Sequence, residues 1–161
     1  MIEILCETGS NVQVPGATLD GVSLEGVNLH RALLDGRSLK GAILRGVNLR
    51  SSWMEKAVLD RALLCKANLA AVNASFASFV NANCEEAFMR SGTYRGANFR
   101  GASLRAADVG RSDFRGADFS EADLRCLNLL EANMANATYD ETTIWPDAFD
   151  PTVAGAILLR S

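Results

Sequence analysis

Residues 97–119 read Ala97-Asn98-Phe99-Arg100-Gly101-Ala102-Ser103-Leu104-Arg105-Ala106-Ala107-Asp108-Val109-Gly110-Arg111-Ser112-Asp113-Phe114-Arg115-Gly116-Ala117-Asp118-Phe119. A small residue, a short polar residue and a large apolar residue recur in that order every five positions. Stepping by five in both directions from Phe99 extends the apolar position, here called the centre, from Leu19 to Phe149, and all 27 steps are hydrophobic. With 48% hydrophobic residues overall, such a run arises by chance about once in a hundred million sequences. Two residues before the centre, 16 of the 27 positions are Ala, and one before it 20 are Asn, Asp, Ser or Thr. Eight of the 13 glycines lie two residues after it, and no insertion breaks the register.

A period of five matches neither a helix at 3.6 nor a strand at two. It fits a short extended piece followed by a tight corner. Alternation in the extended piece turns the centre and the small residue inward and the polar residue between them outward. Glycine two after the centre supplies the positive φ of a type II turn. If each corner turns the chain through about 90°, four units close a square coil of about 20 residues, and coils stack at about 4.8 Å. The expected fold is an all-β solenoid of about seven coils. The unbroken Ala-(Asn/Asp)-Leu-x-Gly pattern over residues 17–149 resembles the pentapeptide-repeat proteins, and the resemblance implies a right-handed quadrilateral parallel β-helix.

Residues 1–16 are expected to form an N-terminal cap, with a short strand suggested by Ile2, Ile4, Val12 and Val14. Residues 150–161 are expected to form a C-terminal capping helix. Asp150-Pro151 reads as an N-cap followed by the first helical residue, and Val153, Ala154, Ile157 and Leu158 share a helical face. The segment from Trp145 to Pro151 resembles terminal segments of bacterial, particularly cyanobacterial, members of that family, in which a capped end can serve as a homodimer interface. Arg37 occupies a small inward slot, where an unpaired charge costs several kcal/mol. A local distortion that releases it outward is expected.

The composition narrows the function. A net charge of −3 argues against direct nucleic-acid binding, which favours a basic domain. No apolar run reaches the ~20 residues of a membrane span, and no targeting segment is visible, so a cytoplasmic location is expected. The chain has one histidine, His30, and four cysteines with no Cys-x-x-Cys spacing, so neither a metal nor a cofactor is expected. Cys84 is a centre, Cys65 and Cys126 face outward some three coils apart, and Cys6 lies in the N-terminal cap; free thiols follow. The sequence has no phosphate-binding loop, no Gly-x-Ser-x-Gly and no histidine-paired nucleophile. Glu85 and Glu86 diverge at a corner, and no enzymatic activity is expected.

Two surface features stand out. Arg90, Arg95, Arg100 and Arg105 occupy four successive corners, extended by Arg111, Arg115 and Arg125, with Asp108, Asp113, Asp118 and Asp123 in the ring above. Either the rings compensate one another or the arginines receive an anionic partner. Leu33 and Trp53 fill outward slots on one side, with Phe76 at the next corner and Val58 around it, while Ile43 and Leu63 do the same on the opposite side. The candidate partner-binding residues are Leu33, Trp53, Val58, Phe76, Arg90, Arg95, Arg100, Arg105 and Arg115. The expected function is a non-catalytic scaffold or adaptor whose faces bind an unidentified protein. The family resemblance implies an alternative, a DNA mimic that binds DNA gyrase or a related topoisomerase and protects it from inhibitors or toxins. Mimicry requires a strongly negative rod, which a net −3 with an arginine ring supplies poorly.

Overall fold

Each five-residue unit must satisfy five backbone N–H groups, and the chain does so in a fixed order. In the computed structural model, which describes residues 1–160, the unit Ala67–Ala71 shows the rule. Ala67 N–H closes a turn on the carbonyl of Leu64 (3.0 Å), Asn68 N–H donates to Val47 in the coil below (2.8 Å), and Leu69 and Ala71 donate to Phe88 and Arg90 in the coil above (2.7 and 3.0 Å). The fifth, on Ala70, donates to the side-chain oxygen of Asn68 (3.1 Å). The Asn/Asp preference one residue before the centre thus has a cause: that side chain caps the one amide the ladder leaves over. Where the slot holds Ser38, Trp53 or Ser78, an aspartate in the coil below takes over, with Asp20, Asp35 and Asp60 accepting from Lys40, Glu55 and Val80.

The ladders run in four parallel columns with a step of 20 residues, one beginning Ser23, Ile43, Leu63, another Asn28, Asn48, Asn68, a third Leu33, Trp53, Asn73, and a fourth Ser38, Val58, Ser78. These columns are the four faces of a β-helix and are called faces 1 to 4 in that order. At the corners the residue two after the centre takes a left-handed conformation whatever its type, from Gly46 (φ 61°) to Lys66 (φ 59°) and Ala106 (φ 54°).

Twenty-five of the 27 centres, Leu19 through Tyr139, are buried. The alanines beside them from Ala32 to Ala122 are buried too, because four large centres per coil leave room only for a methyl group. Where serine replaces alanine, its hydroxyl finds a carbonyl: Ser52 donates to Leu29 (2.9 Å) and Ser112 to Met89 (2.7 Å). Higher in the stack the aliphatic column gives way to rings, with Phe79 on Phe99 at 4.7 Å and Phe99 on Phe119 at 5.2 Å, nearly parallel. Tyr94 stacks on Phe114 in the neighbouring column (5.2 Å). Its hydroxyl donates to Leu69 (3.2 Å). Its ring takes the space left by Gly92, where a Cβ would lie 2.5 Å away.

Three expectations require correction. The periodic register slips twice. Leu127 pairs with Asp108, a step of 19, the step returns to 20 at Asn133 and Thr138, and Ile144 then pairs with Asp123, a step of 21, so the chain drops a residue, recovers it and later gains one. The strict count puts Leu127 in an alanine slot too narrow for it. Instead the corner tightens, Cys126 N–H donates to Leu124 (2.6 Å), and Cys126 fills the slot and is buried rather than outward. Leu127 then faces solvent, and a short 3-10 turn over Leu129–Glu131 restores the register. In the second slip Thr143 enters a small slot and donates to Phe119 (3.0 Å). Ile144 becomes an outward residue rather than a centre, and Trp145 packs on Tyr139 and Phe149 in its place (5.2 Å each). Second, the C-terminal segment forms no helix among the described residues, and Ser161 lies outside them. Asp150 caps a single turn by accepting from Thr152 and Val153. Gly155 then reverses the chain at φ 83°, and Ile157–Leu158 (β4) pairs in parallel with Thr138–Tyr139 (β3). The open ladder edge above Tyr139 offers more backbone partners than a short helix could satisfy. Third, Arg37 is exposed, but without distortion: its N–H and carbonyl keep the regular bonds to Leu34 and Val58. The coil below it is incomplete, since Ser38 has no ladder partner there and Ala17 is itself exposed, so the slot opens onto the end of the stack.

At that end, strands Ile2–Ile4 (β1) and Val12–Val14 (β2) form an antiparallel hairpin that buries Ile4 and Val14. The next residues replace a missing coil on one face, where Leu33 N–H donates to Leu5 and Glu7 N–H to Arg31. Cys6, Cys84 and Cys126 are buried, Cys65 is half-buried, and all four are free. The corner conformation predicts substitutions of opposite sign. Gly46→Ala, which meets no atom within 4 Å, should destabilise by about 1 kcal/mol through φ alone. Ala106→Gly should be neutral or stabilising by up to about 1 kcal/mol. Urea-unfolding midpoints check both.

Candidate interaction surface

A β-helix face fixes the direction of every outward side chain, because its neighbours above and below hold the backbone in register. On face 3, Leu33 and Trp53 are paired neighbours and are 39% and 42% exposed. The N-terminal segment borders them. Glu7 sits beside Trp53 and forms an ion pair with Arg31 (2.6 Å). The Arg31 guanidinium, and to a lesser extent the Trp53 side chain, hold the Glu7 carboxyl below its usual range. Phe76 lies on the edge between faces 3 and 4, 61% exposed, with its ring over Gly96 of the next coil, where a Cβ would meet it at 2.7 Å. Val58 is half-buried around that edge on face 4. Leu33 and Trp53 therefore share a face, while Phe76 and Val58 flank it from an edge and the next wall.

The arginine band is largely committed to carboxylates. Arg90 bridges Asp108 (3.0 Å) and Glu131 (2.9 Å), Arg95 pairs with Asp113 (2.6 Å), and Arg100 pairs with Glu121 (2.5 Å). Arg115 pairs with Asp113 (2.8 Å) and Arg125 with Asp123 (2.5 Å). Arg105 makes no ion pair among the described residues. Its charge acts on Asp123, whose carboxyl is held below its usual range chiefly by the Arg125 hydrogen bond. Burial opposes ionisation of Asp108, but Asn128, the Gly110 N–H and Arg90 together outweigh it and leave that carboxyl low as well. Such exposed pairs are individually weak; they turn a positive ring into alternating bands.

The strict five-residue count missed apolar exposure near the C-terminal end. Leu127 is exposed through the first slip, and Leu130, at the corner after Leu129, borders a groove of about 540 Å³ with Phe149 and Val153. The signal was a leucine in an alanine slot. Phe88, 56% exposed on face 2, was legible from the same rule that marks Trp53. Among the described residues no group of three or more His, Cys, Asp or Glu side chains could hold a metal, and no helix is long and apolar enough to cross a membrane.

Lowered folded-state values at Asp108 and Asp123 fix the sign of an acid response. Their contribution to stability is complete above the unfolded carboxyl value of about 3.9 and is lost as pH falls through the folded values. Thermal melts should show a flat Tm between about pH 7 and 5 and a decline below about pH 4, shallower in Asp123→Asn.

The sequence model of the family described as pentapeptide repeats matches in eight copies, over residues 15–50, 42–74, 89–120 and 102–138, together more than half of the chain. Comparison with curated protein sequences gives no match. Among solved structures, the chain is similar to alr5209, a pentapeptide repeat protein from Nostoc PCC 7120, at 32% identity and a TM-score of 0.61, covering 63% of this chain and 84% of that one. It is similar to HetL, a pentapeptide repeat protein involved in heterocyst differentiation regulation in the same cyanobacterium, at 21% identity and a TM-score of 0.52, over 84% of this chain and 71% of that one. A trypsin-treated form of QnrB1, a plasmid-mediated fluoroquinolone resistance protein, shares the fold at 15% identity and a TM-score of 0.60, over 88% of this chain and 84% of that one. With its four ladder columns, left-handed corners and stacked centres, this chain belongs to the pentapeptide-repeat family and folds as a right-handed β-helix.

Proposed function

We propose that the protein is a non-catalytic scaffold or adaptor that presents β-helix faces to another protein. The observation that carries this reading is the Leu33–Trp53 pair: two large apolar side chains, each about two-fifths exposed, held side by side on a rigid ladder. Aromatic anchors fixed on rigid backbone lose little entropy on binding and dominate protein interfaces. Phe76 and Val58 extend the contact around one edge. Arg90, Arg95 and Arg115, on the edges that flank face 3, supply a polar rim, while Arg100 and Arg105, the latter without an ion pair among the described residues, sit on the two far corners. The exposed Leu130 and Val153 at the C-terminal end give a second surface, suited to a homodimer through the capped end. Four free thiols suit a reducing compartment, and we assign the protein to a bacterial cytoplasm.

The gyrase-binding reading fits the surface less well. A DNA mimic presents continuous negative potential, whereas the bands from Arg90 to Arg125 interrupt the acidic residues partway up the stack. An affinity pulldown with the wild type and with Trp53→Asp tests the adaptor reading. Partners that are lost with the variant support it, and recovery of the same set from both removes Trp53 from the interface. Inhibition of DNA supercoiling by the purified protein would establish the rival instead.

A further inference from the structure

The edge between faces 2 and 3 carries Arg31, Arg50, Arg90 and Arg111 against two acidic residues, Glu131 and the Glu7 that pairs with Arg31. On the diagonally opposite edge, Asp20, Asp60, Glu121, Asp140 and Glu141 outnumber Lys40, Arg61 and Arg100. In a chain of net −3, this is the most basic of the four edges. Midway along it, Ala70 stands where the coils below and above carry Arg50 and Arg90, Ala71 stands where they carry Ser51 and Ser91, and a recess of about 350 Å³ opens between the two arginines. The two arginines are two coil steps apart, about 10 Å.

Each wall of the recess has a distinct chemistry. Phe88 is 56% exposed and supplies an aromatic surface. The two alanines supply a shallow apolar floor. Asn68 spends its side-chain oxygen on the Ala70 N–H, and its amide nitrogen has no protein hydrogen bond among the described residues. Arg90 lies against Gly110, where a Cβ would come within 2.5 Å of its guanidinium, and is held there by Asp108 and Glu131. Arg50 makes no ion pair among the described residues and is exposed. A free guanidinium, amide donors and an aromatic ring around one notch select a carboxylate next to an apolar group.

We infer that this recess docks an acidic, aromatic-containing peptide segment of a partner protein, with a carboxylate on Arg50 and Asn68 and a ring against Phe88 and the alanine floor. The inference rests on the adaptor reading and names the chemistry of a partner. Its test reads this recess alone, so its failure leaves the Trp53 experiment intact. The probe is an acetylated and amidated Glu-Phe-Glu peptide, titrated into the isotope-labelled full chain and followed by amide chemical shifts. Saturable shifts at Ala70, Ala71, Phe88 and Ser91 are expected, with a Kd of about 1 mM. Arg50→Glu and Phe88→Ser, both at exposed positions, should each weaken binding about ten-fold or more while leaving the remaining spectrum unchanged. The analogous Lys-Phe-Lys peptide should give no saturable shift. The inference is overturned by an absence of saturation up to about 10 mM, by equal binding in Arg50→Glu, or by equal binding of the lysine peptide. It is also overturned if inorganic phosphate alone produces the same shifts at the same concentration, since that marks a simple anion site.

Discussion

The fold depends on packing large side chains, five residues apart, into one narrow dry channel. A centre cannot turn inward unless the chain bends sharply after it, and the bend puts a left-handed residue at each corner from Gly21 to Glu121. That conformation is unfavourable for any residue but glycine, yet Lys66, Phe76, Glu86 and Ala106 adopt it. Burial of the centre and completion of the ladder outweigh the local strain. Within each coil the square section leaves no spare volume, which is why alanine dominates the second inward slot and why serine enters it only with a carbonyl partner in reach.

The same constraint explains what the sequence made legible and what it concealed. The centres from Leu19 to Tyr139 and the alanines beside them follow from counting by five, because each unit repeats the same steric problem. The end of the stack does not repeat it. Leu127 is too large for its slot, so Cys126 replaces it and the corner tightens; Thr143 displaces Thr142 in the same way one coil later. A strict count sees apolar residues at Leu129, Met134 and Ile144 and reads continuity, because the 3-10 turn makes good the first slip before Asn133 and the second leaves an isoleucine where a centre is counted. Asp150-Pro151 carries a sound local signal and does cap a turn, but the unpaired ladder edge at Tyr139 competes for the following residues and makes them a strand. Local propensity gave the start of that element and tertiary demand gave its type.

The candidate surface was legible to a different degree. Outward slots can be read directly, so Leu33 and Trp53 were identified from position alone, and Phe88 obeys the same rule. Whether a charged corner is free cannot be read from position, because it depends on side-chain reach between coils. Arg90 reaches both Asp108 and Glu131, and Arg100 passes over Asp118 to pair with Glu121. The surfaces proposed for binding lie where the repeat is broken by size or charge: an indole in a polar slot, an alanine between two arginines. The repetition itself supplies stiffness.

Native-state amide hydrogen exchange, read residue by residue, tests the central claim most directly. The account predicts a five-residue rhythm between about Leu44 and Phe119. The N–H groups of the centres and of the small inward residues should be the slowest to exchange. The amide just after each centre, which has a side-chain partner or none among the described residues, should be the fastest. Protection with no such period, or centre amides that exchange as quickly as those at the corners, would contradict it.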